Sequence, residues 1–122
     1  MSSISDFYFL PSNLTVAKSK IDGMGIFATK DIPLGSDLGV SHIFDQTNDD
    51  RYSRTELGKF INHHEIPNSK ANFYKQHPQL GDLRHIRIKT IKTIKKGEEI
   101  TIKYIINQLK SPNWEIEYEA TQ

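Results

Sequence analysis

The chain has 122 residues, 36% hydrophobic and 25% charged, with a net charge of +1 and no cysteine. That is the size of one domain with a modest core, and the missing cysteines exclude disulfides, a thiolate nucleophile and Cys-ligated zinc. No apolar run reaches the length of a membrane span and no basic segment precedes an apolar stretch at the N-terminus, so the expectation is one domain over 1–122, cytoplasmic, with no membrane partner.

In chain order, Leu14 to Ala17 alternates weakly and leads into a turn-rich stretch, Ile21-Asp22-Gly23-Met24-Gly25. A short apolar strand, Ile26-Phe27-Ala28, follows, and Pro33 and Gly35 then mark a turn between two strands. Gln46 to Ser53 is polar and turn-like, and is expected to be exposed. From Arg54 to Ile61 the residues Leu57, Phe60 and Ile61 stand at helical spacing. Ser53 is available as N-cap and Glu56 lies three residues on, which predicts one short helix. His85 to Ile91 alternates strictly, the pattern of a half-buried strand, and Ile100 to Tyr104 does the same. Trp114, Ile116 and Tyr118 stand at period two, which fits either a last strand or a strap laid over the domain.

Ile94-Lys95-Lys96-Gly97-Glu98-Glu99-Ile100 repeats the spacing of Ile32-Pro33-Leu34-Gly35-Ser36-Asp37-Leu38. Two such units imply a mostly β domain with internal pseudo-symmetry; two copies are too few for a solenoid. There is no alternation of strands with helices, which argues against a Rossmann fold.

Charge is uneven. Residues 84–110 hold Arg84, Arg87, Lys89, Lys92, Lys95, Lys96, Lys103 and Lys110 against Glu98 and Glu99, whereas the chain ends on Glu115, Glu117 and Glu119. The basic stretch reads as the solvated face of strands, with an acidic partner or nucleic acid as the alternative.

Three short segments carry chemistry. Gly23-Met24-Gly25 lacks the third glycine of a dinucleotide fingerprint and is followed by a strand. By itself it is a tight turn; in a site, its glycines would let backbone groups approach a ligand. Asn62-His63-His64-Glu65-Ile66-Pro67-Asn68 is a dense polar cluster directly after an apolar helix face, which makes it either an exposed loop or a site. Adjacent histidines on a strand point to opposite sides and no carboxylate stands at ligand spacing, so no metal is expected. Gly97 to Tyr104 ends a strand on a tyrosine that shares a face with Ile100 and Ile102.

Taken together and in this order, these segments resemble the SET domain of protein lysine methyltransferases. Gly23 to Ala28 is similar to that family's first motif, Gly58 to Asn68 to its Asn-His-Ser-x-x-Pro-Asn signature, and Gly97 to Tyr104 to its Gly-Glu-Glu-Leu/Ile-x-x-x-Tyr signature. The resemblance spans about residues 14–104, leaving 105–122 as a C-terminal strap. It implies a β-clip fold of short curved strands, one short helix and a knot-like C-terminal crossing. About eighteen residues separate Gly39 from Gly58, fewer than in most cellular members, which resembles the minimal SET proteins of viruses and phages, some of them homodimers.

By the same resemblance, Gly23, Met24, Gly25, Asn62 and His63 would hold S-adenosylmethionine, with S-adenosylhomocysteine as product. Tyr104 would be the catalytic tyrosine. Tyr52, Ile102, Trp114 and Tyr118 are candidates for the wall of a lysine channel, although Trp114 and Tyr118 serve equally well as core cover. The implied partner is a protein presenting a lysine, such as a chromosomal or transcription-associated protein, and not nucleic acid as substrate. Departures from the pattern are His64 in place of Ser, Lys103 before the tyrosine, and Ile102 where an aromatic residue is common. A catalytically inactive SET-like module that binds protein or nucleic acid is the competing expectation, favoured by the basic stretch.

Overall fold

A computed structural model describes residues 9–47 and 51–103. Its elements are β1 (Leu14–Lys18), β2 (Met24–Ala28), β3 (Asp37–Phe44), β4 (Tyr52–Arg54), α1 (Glu56–Phe60), β5 (Asn62–His63), β6 (Ser69–Tyr74), β7 (His85–Thr90) and β8 (Glu99–Ile102). They form two four-stranded sheets, ordered β1-β2-β8-β5 and β4-β3-β7-β6. The mostly β architecture with one short helix is the one the sequence predicts.

The first sheet is antiparallel except at one seam. β2 meets β8 with Ile26 opposite Ile100, whereas β5 runs parallel to β8 with Asn62 opposite Thr101 and His63 opposite Ile102. A parallel pair cannot be closed by a hairpin; here β6, β7 and the chain leading to β8 make the crossover, which carries the Asn-His segment and the Gly-Glu-Glu segment side by side. In the second sheet, register shifts between Asp37 and Gly39 and between Val40 and His42 bend β3 along β7. Gly39 sits at φ +113°, a conformation that favours glycine and fits such an irregularity.

Isoleucine dominates the core between the sheets. Ile26, Ile86, Ile88, Ile94 and Ile100 are fully buried beside Leu38, Leu57 and Phe73. The sequence repeat has a structural counterpart. Ile32 and Ile94 face each other in an antiparallel bridge, their backbones exchanging hydrogen bonds of 2.7 and 2.8 Å. The glycine three residues after each, Gly35 and Gly97, takes the same left-handed turn, at φ +83° and +89°.

Three expectations are corrected. The helix is shorter than 54–61 and its cap is Thr55, whose hydroxyl accepts from the Gly58 N–H at 3.3 Å; Ser53 is not the cap. The reason is strand pairing: Ser53 and Arg54 are taken into β4 opposite Ile43 and His42, and Asn62 is taken into β5, leaving one helical turn between them. The same pairing makes Tyr52 a core residue, 2% exposed, where the sequence pattern predicts a polar exposed turn. Met24 and Gly25 belong to β2, paired with Lys18 and Ala17, so the turn after β1 ends at Gly23.

Candidate functional site

The loop between β1 and β2 is tied by its own first residue. Ser19 N–H donates to the Gly23 carbonyl at 2.8 Å, and Ser19 Oγ accepts from the N–H groups of Ile21 and Asp22 at 2.8 and 3.3 Å. This is the local turn that serine hydroxyls form with backbone two or three residues on. With both N–H groups directed at its lone pairs, the hydroxyl has one hydrogen to give. It gives it to Glu99, at 2.8 and 2.9 Å from the two carboxylate oxygens.

Asn62 completes the cluster. Its side-chain nitrogen lies 3.1 Å from the Asp22 carbonyl, 3.2 Å from the Met24 carbonyl and 2.8 Å from Glu99 Oε2. All three neighbours are acceptors, so the amide must turn its NH2 toward them and its Oδ1 the other way. A side chain on Gly25 would overlap the Glu99 carboxylate, so glycine there is what lets Glu99 reach Asn62. Beside this polar knot two apolar side chains are exposed, Ile21 and Met24, each 46%, among the exposed Lys18, Lys20 and Asp22.

The remaining polar residues of the second motif hold backbone. Asn68 acts as a substitute strand partner for β8, its Nδ2 donating to the Glu99 carbonyl at 2.8 Å and its Oδ1 accepting from Thr101 N–H at 2.9 Å. His64, standing where serine is usual, closes a turn, its Nδ1 accepting from Ile66 N–H at 3.0 Å. His63 and Lys103 flank Glu65 at 3.2 and 3.5 Å, and the His63 hydrogen bond followed by the Lys103 charge holds that carboxyl below its ordinary pKa.

The family model described as the SET domain matches residues 40–105, more than half of the chain. The chain belongs to the SET-domain family. Solved structures share its fold. One is a candidate histone methyltransferase from Plasmodium falciparum, at TM-score 0.65 and 19% identity, with 77% of this chain and 94% of that one covered. The apo Polycomb Repressive Complex 2 of Chaetomium thermophilum matches at TM-score 0.58 and 21% identity, over 84% of this chain and 16% of that one. An inhibitor-bound humanized mutant of that complex matches at 0.57 and 23%, over 77% of this chain and 15% of that one. The SET chain thus spans about a sixth of those two chains. A search of the curated proteins gave no significant match.

Within this SET domain, Gly23, Met24, Gly25 and Asn62 come together as one cluster, although 38 residues separate Met24 from Asn62. His63 is the next residue of β5, half-buried beside Ile102 in register. Ile102 is 4% exposed and packs in the core cluster. Tyr52 lies in the other sheet, its ring edge-on to His42 and Phe44 at 6.1 and 5.9 Å. Tyr104, Trp114 and Tyr118, and with them the strap and the C-terminal crossing, lie outside the described residues. Among the described residues no three His, Asp or Glu side chains gather as metal ligands, and no helix is long and apolar enough to cross a membrane.

Sequence reasoning missed Ser19, and it gave no role to Asn68 or Glu99. A serine two residues before the turn-rich stretch was a visible signal for Ser19. Nothing in the sequence tied it to a carboxylate 80 residues away.

Proposed function

We propose that this SET domain is a protein-lysine N-methyltransferase that takes its methyl group from S-adenosylmethionine. The observation that carries this reading is the Asn62 cluster, where the three family motifs meet and the amide nitrogen is consumed from within. The residues present fit that cofactor. Asn62 Oδ1, which takes no hydrogen bond among the described residues, is an acceptor suited to the ammonium of its methionine moiety. Exposed Met24 and Ile21 offer apolar surface for the carbons of the ribose and side chain. Gly23, at φ +48° with nothing within 4 Å of where a side chain would begin, leaves the loop open to a ligand.

When bound, S-adenosylmethionine supplies an electrophilic methyl carbon, which bonds to the lysine nitrogen as its bond to sulfur breaks, leaving S-adenosylhomocysteine and releasing one amine proton to water. The chain itself has to align a neutral amine with that carbon. A free lysine, pKa about 10.4, is almost wholly protonated near neutrality, and an apolar channel beside a positive charge shifts it toward the neutral form. Holding the two reactants in line supplies most of the acceleration in such a site. By the family resemblance Tyr104 is the hydroxyl that orients the amine. The substrate is a protein presenting lysine on an accessible segment, and chromosomal or transcription-associated proteins are the class to test first.

Calorimetric titration with S-adenosylhomocysteine tests the cofactor, and transfer of labelled methyl from S-adenosylmethionine to proteins of a cell lysate tests the reaction. The reading expects saturable binding, label on lysine, and loss of transfer in Tyr104→Phe with binding retained. No binding by the wild-type protein would overturn it, and binding without transfer would leave a module that recognises the cofactor alone.

A further inference from the structure

Glu98 and Glu99 are neighbours in sequence with opposite roles. Glu98 closes its own turn, Oε1 accepting from Lys95 N–H at 2.7 Å. Glu99 crosses to the site and accepts from Ser19 and Asn62 together. Of the three acceptors around Asn62 Nδ2, its carboxylate is the nearest and the one that carries charge; the other two are loop carbonyls. Charge-assisted hydrogen bonds are about twice as strong as neutral ones, so Glu99 is the strongest single partner holding the amide in this direction.

We infer that Glu99 is the positioning residue that sets the hydrogen-bond polarity of the cofactor pocket, by locking Asn62 with its NH2 inward and its Oδ1 toward the ligand. The inference rests on the reading of this site as an S-adenosylmethionine pocket. A primary amide has a donor end and an acceptor end of nearly equal size, and a pocket that must receive an ammonium needs the acceptor. Ser19 makes the lock one-way. Its lone pairs are taken by Ile21 and Asp22 N–H, so its hydrogen can only be donated, and Glu99 is the acceptor that meets it. Gly25 provides the room: any side chain there would push the carboxylate off Asn62.

Two measurements on wild type, Glu99→Leu, Glu99→Gln and Ser19→Ala test this. The first needs no ligand: NMR exchange of the Asn62 side-chain NH2 protons. Exchange should be slow in wild type, faster by about tenfold in Glu99→Leu, and intermediate in Glu99→Gln, which keeps an acceptor oxygen and the volume. Unchanged exchange in Glu99→Leu overturns the inference. The second compares binding of S-adenosylhomocysteine with that of its analogue lacking the α-amino group. Wild type should prefer the amine-bearing compound by about tenfold or more, Glu99→Leu should lose most of that preference, and Ser19→Ala part of it. A general loss of stability weakens both compounds alike and leaves the ratio unmoved, so an unchanged ratio in Glu99→Leu also overturns the inference. If wild type binds neither compound, the proposed function falls, while the exchange measurement still judges the lock between Glu99 and Asn62.

Discussion

The two sheets of this SET domain are held in different ways. Around the β2–β8–β5 seam, polar side chains replace what backbone does elsewhere: Asn68 pairs with β8 as a strand would, and Ser19, Glu99 and Asn62 fasten a loop to two strands. The β4-β3-β7-β6 sheet instead relies on long antiparallel ladders over a face of Ile86, Ile88 and Leu38, with Tyr74, His85 and Arg87 stacked at one end. Side-chain hydrogen bonds are directional and can leave one end of a group turned to a ligand; a backbone ladder leaves none. The candidate site therefore lies on the first sheet, with the second as its support.

Two glycines put that contrast to the sharpest test. A side chain on Gly58 would run into the Ser41 backbone carbonyl, so α1 could not stay against β3. Gly58→Ala is expected to cost more than about 4 kcal/mol and to leave little folded protein by circular dichroism. Gly25→Ala meets the ends of two side chains and no backbone, Glu99, which can swing aside, and the Asn62 amide at 3.2 Å, so this variant should fold with a near-normal melting temperature and lose binding of S-adenosylhomocysteine. Equal damage to folding from both would erase the distinction between the sheets.

Ile88→Ala, at a fully buried position of the supporting sheet, should cost about 2–5 kcal/mol in urea denaturation while leaving the cofactor affinity of the remaining folded protein intact. A smaller effect belongs to His85. Burial pushes its ring down to about 4, with the Leu83 carbonyl opposing and the Arg87 guanidinium, His77 and Asp37 nearby. Its Nδ1 lies 2.9 Å from the Leu83 carbonyl, and its Nε2 accepts from Arg87 Nε at 3.1 Å, an arrangement open only to the neutral ring. Below about 6.5 the unfolded chain takes up a proton that the folded chain refuses, so stability is complete above that pH and falls as pH drops toward about 4. Melting temperatures across that window should decline more in wild type than in His85→Gln. A decline identical in the two proteins would remove His85 as its source. At the small end, Lys95→Ala removes an exposed pair with Asp31 at 3.8 Å and should change stability by less than about 0.5 kcal/mol.

Much of this was legible in the sequence. Strict alternation marked β7, the Ile-x-x-Gly spacing marked the paired turns at Ile32 and Ile94, and helical spacing of Leu57, Phe60 and Ile61 marked α1. These features are local: side-chain periodicity and the φ preference of glycine act within a few residues, so the sequence by itself determined them, together with the family. Where a distant strand competed for the same backbone, local reading failed, as at Ser53 and Arg54, which pair with β3 instead of starting a helix. The direction of the Asn62 amide was decided only by tertiary structure. It depends on a carboxylate 37 residues away, a serine hydroxyl 80 residues from that carboxylate, and the absence of a side chain at Gly25, and no local preference links those three.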